Sequence, residues 1–382
     1  MSGNLTDFGS LTANKKKLYA ASVILAGRDR SFFMGEKGWL GKGLTDASKP
    51  IHLVDKLTKV EGGTKCIMPM VLDIQSDGVV NDNQLEGNET PIETDALEIE
   101  VSQIREGIKS KGKLSEQETV IQFRATAKEQ LGNWKAQKVD ELCFLTMSGV
   151  AFTNKLDGTT RSASSQLPQL RFAGDVSAST AKRVVYGGTA TSTATLTASD
   201  TMSWTLLVKA KTLAKIKNVK PIRNGNKEYY IVVMSPEQGG DLKNDSNYRE
   251  SLQRAGNRGD KNKLFTGAFA DVDGLILYEH NRTYSTRGAA SGSQWGSAGT
   301  VHGAQALLIG AQAIAYAHIG DDDWAESDNT DYGNRQGVAY GCIIGLRKAI
   351  FKSIYDLDSA GAPTSQDFSI ISIYTAQTPV GV

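Results

Sequence analysis

The chain has 382 residues, 40% of them hydrophobic and 22% charged, enough for two or three compact units without disulfide staples. Lys+Arg 43 against Asp+Glu 42 gives a formal net charge of +1, which argues against a dedicated nucleic-acid binder with its large basic excess. Cys66, Cys143 and Cys342 lie too far apart for a CxxC motif, and no apolar signal run follows Met1, so a protein made in a reducing cytoplasm is expected.

Residues 1–50 read as an arm. Lys15, Lys16 and Lys17 head its basic excess, glycines punctuate it, and no helical period crosses it. Such a segment drapes over its own body or over a neighbour, with Phe32, Phe33 and Trp39 as better anchors to that neighbour than the charges. Residues 65–72 and 95–101 read as strands. Pro69 puts the first at an edge, and the second alternates Leu97, Ile99 and Val101 against Glu98 and Glu100. Between them stand Asp73, Asp77, Asp82, Glu86, Glu89 and Glu93 with no Lys or Arg. The pattern predicts a hairpin with a one-signed tip that is either solvated or meets a basic partner.

Ser115 and Glu118 form a capping box that opens the strongest helix of the chain. Its apolar stripe runs through Val120, Phe123, Ala127, Leu131, Trp134, Leu142 and Leu145, interrupted by Lys138. A helix over 116–147 would be about 48 Å long, a spine for the molecule. Residues 162–200, rich in Ser, Thr, Ala and Gly, read as an inserted loop with at most short strands. A second helix over 201–217 carries Lys209, Lys211, Lys215 and Lys217, either a solvated face or a row facing DNA. Residues 228–234 suit a buried central strand, and Ser235-Pro236 starts a helix. Residues 274–278 read as another buried strand, 285–300 as a loop, and 301–317 as an alanine-dense helix. Residues 337–350 and 367–376 read as two strands that neighbour each other in one sheet. The class is α+β around one spine.

Chemistry is not in view. No G-x-S-x-G, H-E-x-x-H or P-loop pattern occurs, so no enzyme and no catalytic residue is expected. The run Asp321-Asp322-Asp323 after His318 invites a metal site, but adjacent carboxylates point in different directions, and a solvated acidic loop is the plainer reading. No cofactor is expected.

Three stretches carry a resemblance: Met234-Ser-Pro-Glu-Gln-Gly-Gly-Asp-Leu-Lys-Asn-Asp245, Phe265-Thr-Gly-Ala-Phe-Ala-Asp-Val-Asp-Gly-Leu-Ile-Leu277 and Asp331-Tyr-Gly-Asn-Arg-Gln-Gly-Val-Ala-Tyr-Gly341. With the order of elements, they make the chain resemble major capsid proteins of tailed phages with the Hong-Kong-97-type fold, nearest the branch of short-tailed phages related to coliphage N-four. The resemblance implies an N-terminal arm (1–50), an extended hairpin loop and its base (51–112), and a peripheral domain with the spine helix (113–200). A mainly axial domain (201–330) and C-terminal strands (331–382) would follow. It implies a subunit that assembles with itself into hexameric and pentameric capsomers enclosing double-stranded DNA in a virion. A separate scaffolding protein, a portal and a decoration protein would be its partners. An encapsulin-like nanocompartment shell is the alternative on the same fold.

Overall fold

In a computed structural model of the chain, the described residues are 31–34, 39–42, 48–54, 63–72, 74, 76–92, 94–113, 123–224, 227–255, 270–320, 322–330, 332 and 334–380. Two short strands, β1 (Leu40–Lys42) and β2 (Ile51–Val54), run parallel. β3 (Lys65–Val71) and β4 (Thr94–Glu100) form an antiparallel ribbon with Met68 opposite Leu97 and Pro69 opposite Ala96. Proline is tolerated there because the ribbon has only two strands and both are edges. β5 (Ser102–Lys109) follows after one residue and leaves the ribbon for a larger sheet.

The spine, α1 (Phe123–Ser148), has 26 residues, about 39 Å of helix. The capping box at 115–118 lies outside the described residues. Ala127, Leu131, Val139 and Leu142 are buried, and from Leu142 to Ser148 every residue is, because this end of the helix plunges into the core. Lys138, on the stripe, pairs with Glu141 at 2.8 Å.

The 162–200 segment consists of three-ten turns and the short β6 (Val184–Tyr186). Then come α2 (Trp204–Ile216), β7 (Ile222–Asn224), β8 (Lys227–Met234), α3 (Pro236–Asn244) and α4 (Ser246–Ala255). Ser203 caps α2, and Ser235 with Gln238 forms a capping box on α3 with Pro236 in the first turn. β9 (Ala270–Val272), β10 (Leu275–Glu279), β11 (Gly303–Ile309) and β12 (Ile314–His318) follow. The chain finishes with β13 (Asp323–Thr330), β14 (Arg335–Lys348), β15 (Ile350–Leu357), β16 (Pro363–Asp367) and β17 (Ile370–Ala376).

Two sheets organise the molecule. One has the order β1-β2-β12-β14-β13, with β5 also on β14. The other has the order β6-β17-β11-β8-β10-β9, with β7 on β8. The second sheet is covered on both faces. Along β8, Ile231 and Val233 enter the cluster that holds α1, while Tyr230, Val232 and Met234 enter the cluster under α2.

Two expectations are overturned. Residues 301–317 are not a helix but β11 and β12, which lie in different sheets. In β11, Leu307 and Ile309 face one core and Ala306 and Leu308 the other. A strand buried on both faces reads as continuously apolar, so the period of two is hidden. The turn between β11 and β12 holds Gln312 at φ 56°. A Cβ on Gly310 would meet the Lys220 carbonyl oxygen at 2.1 Å, so only glycine fits this crossing. Nor do the last two sequence-predicted strands share a sheet: β14 is central to the first and β17 to the second. The 162–200 insert, in turn, is tied into the body, since β6 pairs parallel with β17.

Candidate assembly surface

The ribbon has two unlike faces. Cys66, Met68, Leu97 and Ile99 turn inward and pack with Val54, Val101, Ala317 and Phe351. Lys65, Ile67, Pro69 and Val71 turn outward. Lys65 reaches Glu98 at 3.2 Å and Glu100 at 3.1 Å, but pairs this exposed contribute little. Beyond Val71 the chain leaves the body, and residues 76–92 are exposed apart from the half-buried Val79. Turns at Asn81 (φ 56°) and Gly87 (φ 87°) shape this tip, and the Asn83 amide donates to the Val80 carbonyl at 2.8 Å.

Asp77, Asp82, Glu86 and Glu89 all stand on that exposed tip. Glu89 turns one oxygen back to accept from the Gly87 amide at 2.8 Å. Asp73, Glu93 and Lys15–Lys17 lie outside the described residues. Sequence reasoning weighed only the charges here and passed over the apolar side chains between them. Ile67, Val71, Ile74, Val80, Leu85 and Ile92 are each more than half exposed. They are six of the twelve large hydrophobics exposed among the described residues, so the hairpin is acidic and apolar together, as contact surfaces are.

The aromatic residues of the arm are placed differently from the expectation. Phe33 and Trp39 are buried in the chain's own core, and Phe32 is half-buried against Phe144 and His280. As the subunit stands they anchor its own arm and are not offered to a neighbour. Asp140 of α1 fixes this turn: its carboxylate accepts from Ser31 Oγ at 2.6 Å, Phe32 N at 2.8 Å and Phe33 N at 3.3 Å. Burial pushes the Asp140 pKa up, against the pull of these three donors. No sequence signal marked this residue.

The lysines of α2 do not make one row. Lys211 pairs with Asp273 at 2.7 Å and Lys217 with Asp356 at 2.6 Å, both within the subunit. Lys209 and Lys215 are exposed. The aspartates after His318 do not converge either. Asp322 is buried and meets His318 at 2.8 Å and Lys135 at 2.5 Å, Asp323 is exposed, and Asp321 lies outside the described residues.

The chain thus carries an extended hairpin on a two-sheet body with a long helix. A family model described as "Phage capsid protein" matches residues 8–378. This chain belongs to the phage capsid protein family. The major capsid protein of Pseudomonas phage KPP25 is 35% identical over 382 residues, covering 98% of each chain. Among solved structures, the capsid of Ralstonia phage GP4 has a TM-score of 0.75 at 24% identity, covering 93% of each chain. The cyanophage Pam1 capsid has a TM-score of 0.70 at 18% identity, covering 92% of this chain and 94% of that one. These likenesses show the α+β, Hong-Kong-97-type fold. As a phage capsid protein the chain is a structural subunit of the icosahedral head of a tailed phage, built from copies of itself, and not an enzyme. Family membership decides for a phage head over a nanocompartment shell.

Proposed function

We propose that in this head the β3–β4 hairpin is the arm by which one subunit engages the next within hexameric and pentameric capsomers. The observation that supports this most is the hairpin's exposed mixture of four described carboxylates and six large apolar side chains, which a monomer has no reason to hold in water. Single exposed ion pairs give about 0–1 kcal/mol, so the apolar groups and the repetition of the contact around a capsomer do most of the holding. The first sheet with α1 serves as the peripheral domain, and the second sheet with α2, α3 and α4 as the axial one.

Assembly takes place in the bacterial host cytoplasm with a separate scaffolding protein, around a portal, with a decoration protein added outside. Lys209 and Lys215 are the members of the α2 set left to face packaged double-stranded DNA, which they contact without sequence preference. We also propose that the chain belongs to the branch related to coliphage N-four, a reading supported by the three sequence stretches that resemble it. Deleting residues 73–94 tests the arm: the variant should be soluble and folded yet unable to close shells in electron micrographs. Shells of normal size from that deletion would overturn the reading.

A further inference from the structure

A cleft of about 510 Å³ opens where the base of the hairpin meets β15 and the segment after α2. Arg183, Lys217, Lys220, Arg223 and Lys352 line it, against one carboxylate, Asp367, which already pairs with Lys348 at 3.0 Å. Below, the buried Asp356 neutralises Arg183 and Lys217, each at 2.6 Å. Arg223 has an exposed partner in Glu228 at 3.2 Å. That leaves Lys220 and Lys352 without an ion pair among the described residues. Lys220 is the telling one, since it is half-buried and, among the described residues, its ammonium donates only to the Gln312 carbonyl oxygen, at 2.6 Å. Burial first, and the Arg223 charge second, push its pKa down.

The cleft is also apolar, with Met70, Leu72, Phe351 and Phe368 in its walls. Tyr355 on its lining is 44% exposed, and two large hydrophobics close to the lining residues in the chain, Ile216 and Leu357, are 65% and 48% exposed. Seven of the twelve large hydrophobics exposed among the described residues thus lie on the acidic hairpin or line this basic cleft.

We propose that the cleft is the receptor for the hairpin tip of a second copy of this chain, with Asp82 and Glu86 of the tip meeting Lys220 and Lys352. This rests on the reading of the hairpin as the assembly arm and adds where it docks. The chain's own tip does not fill its own cleft: Met70, Val71 and Leu72, where the hairpin departs, form part of the wall, while residues 76–92 stay exposed. From there to the apex about eleven residues reach no more than roughly 36–40 Å, enough to cross to an adjoining subunit. Tip and cleft are different patches, so the contact is head-to-tail, the kind that closes into a ring when the rotation per subunit divides a full turn.

Charge reversal tests the pairing. Lys220→Glu with Lys352→Glu should abolish shells, and Lys352→Glu alone should weaken assembly while leaving the melting temperature of the subunit nearly unchanged. Asp82→Lys with Glu86→Lys should likewise abolish shells, and the chain carrying all four changes should assemble again. If the tip reversal blocks shells but the cleft reversal does not, the arm stands and the cleft assignment falls. If neither blocks, both fall. Cleft-reversed shells that close but retain less DNA would give the cleft to phosphate and overturn the proposal, as would failure of the combined variant to recover. A second measurement covers loss of fold at Lys220: Glu86→Cys with Lys352→Cys should give a ladder of disulfide-linked oligomers from assembled shells on non-reducing gels. Monomers alone would overturn the docking.

Discussion

The ammonium of Lys348 and the carboxylate of Asp367 meet at 3.0 Å with both side chains only 1% exposed. Burial pushes the lysine pKa down and the aspartate pKa up, and each partner's charge opposes the other's shift. Thr180 N at 3.3 Å also serves the carboxylate, and the lysine reaches the Ala178 carbonyl at 3.3 Å. Removing one member strands a buried charge. Lys348→Met or Asp367→Leu should each cost about 3–5 kcal/mol in urea unfolding of the unassembled subunit. The double variant should cost far less than the two combined, and additive losses would show the pair to be uncoupled.

Asp322 sets an acid limit. Burial alone would raise its pKa, but His318, Lys135 and the Tyr340 hydroxyl outweigh burial and hold it at about 2. A carboxyl depressed in the folded state stabilises above its unfolded value of about 3.9 and loses that contribution as the pH falls toward 2. Asp322→Asn should therefore melt lower than the parent at about pH 6, by roughly 2–3 kcal/mol, with the gap narrowing toward about pH 2.5. A gap independent of pH would contradict this.

Asp140 ties residues 31–33 to a helix more than a hundred residues further along the chain. With Asp140→Ala, two backbone amides and a hydroxyl lose their acceptor, a change worth about 1–3 kcal/mol per buried group left unsatisfied. Hydrogen exchange at Phe32 and Phe33 should quicken at least about tenfold while amides near Leu145 keep their protection. Equal loosening of both regions would make Asp140 a general stabiliser and not a latch for the arm.

Two glycines separate close approach from simple tolerance. Gly310→Ala should cost about 2–4 kcal/mol because its methyl would strike the Lys220 backbone. Gly240→Ala within α3, where nothing lies within 4 Å of the new carbon, should raise the melting temperature slightly. Thermal melts of the two variants check both directions.

What the residues announced depended on how local the cause was. The ribbon was plain in Leu97, Ile99 and Val101, and the start of α3 in Ser235 and Pro236, because alternation and capping act over a few residues. The 301–317 segment failed for the opposite reason: both faces of β11 are buried by elements far away in the chain. Phe33 and Trp39 were expected to anchor onto a neighbour and are instead buried in the subunit's own core, a difference that no sequence pattern distinguishes. Asp322 was read as part of a solvated acidic loop, and Asp140 and Asp367 carried no signal, since the residues that bind them lie on other elements. On the hairpin the carboxylates were seen and Val80, Leu85 and Ile92 overlooked, although all stand in the same stretch.

The crossing from β11 to β12 has a mechanical side. Ala311 N bonds to the Lys220 carbonyl at 2.9 Å, Gln312 N to Lys49 at 2.7 Å and Gly310 N to Ser369 at 2.8 Å. Four residues of backbone, laced to three other parts of the chain, thus connect strands embedded in separate sheets. When a head wall is stretched from within, this seam is one of the covalent paths, with that from β14 to β17, by which load crosses between the sheets. Three backbone bonds to three separate segments brace it there, so load entering the crossing is shared beyond the four linking residues.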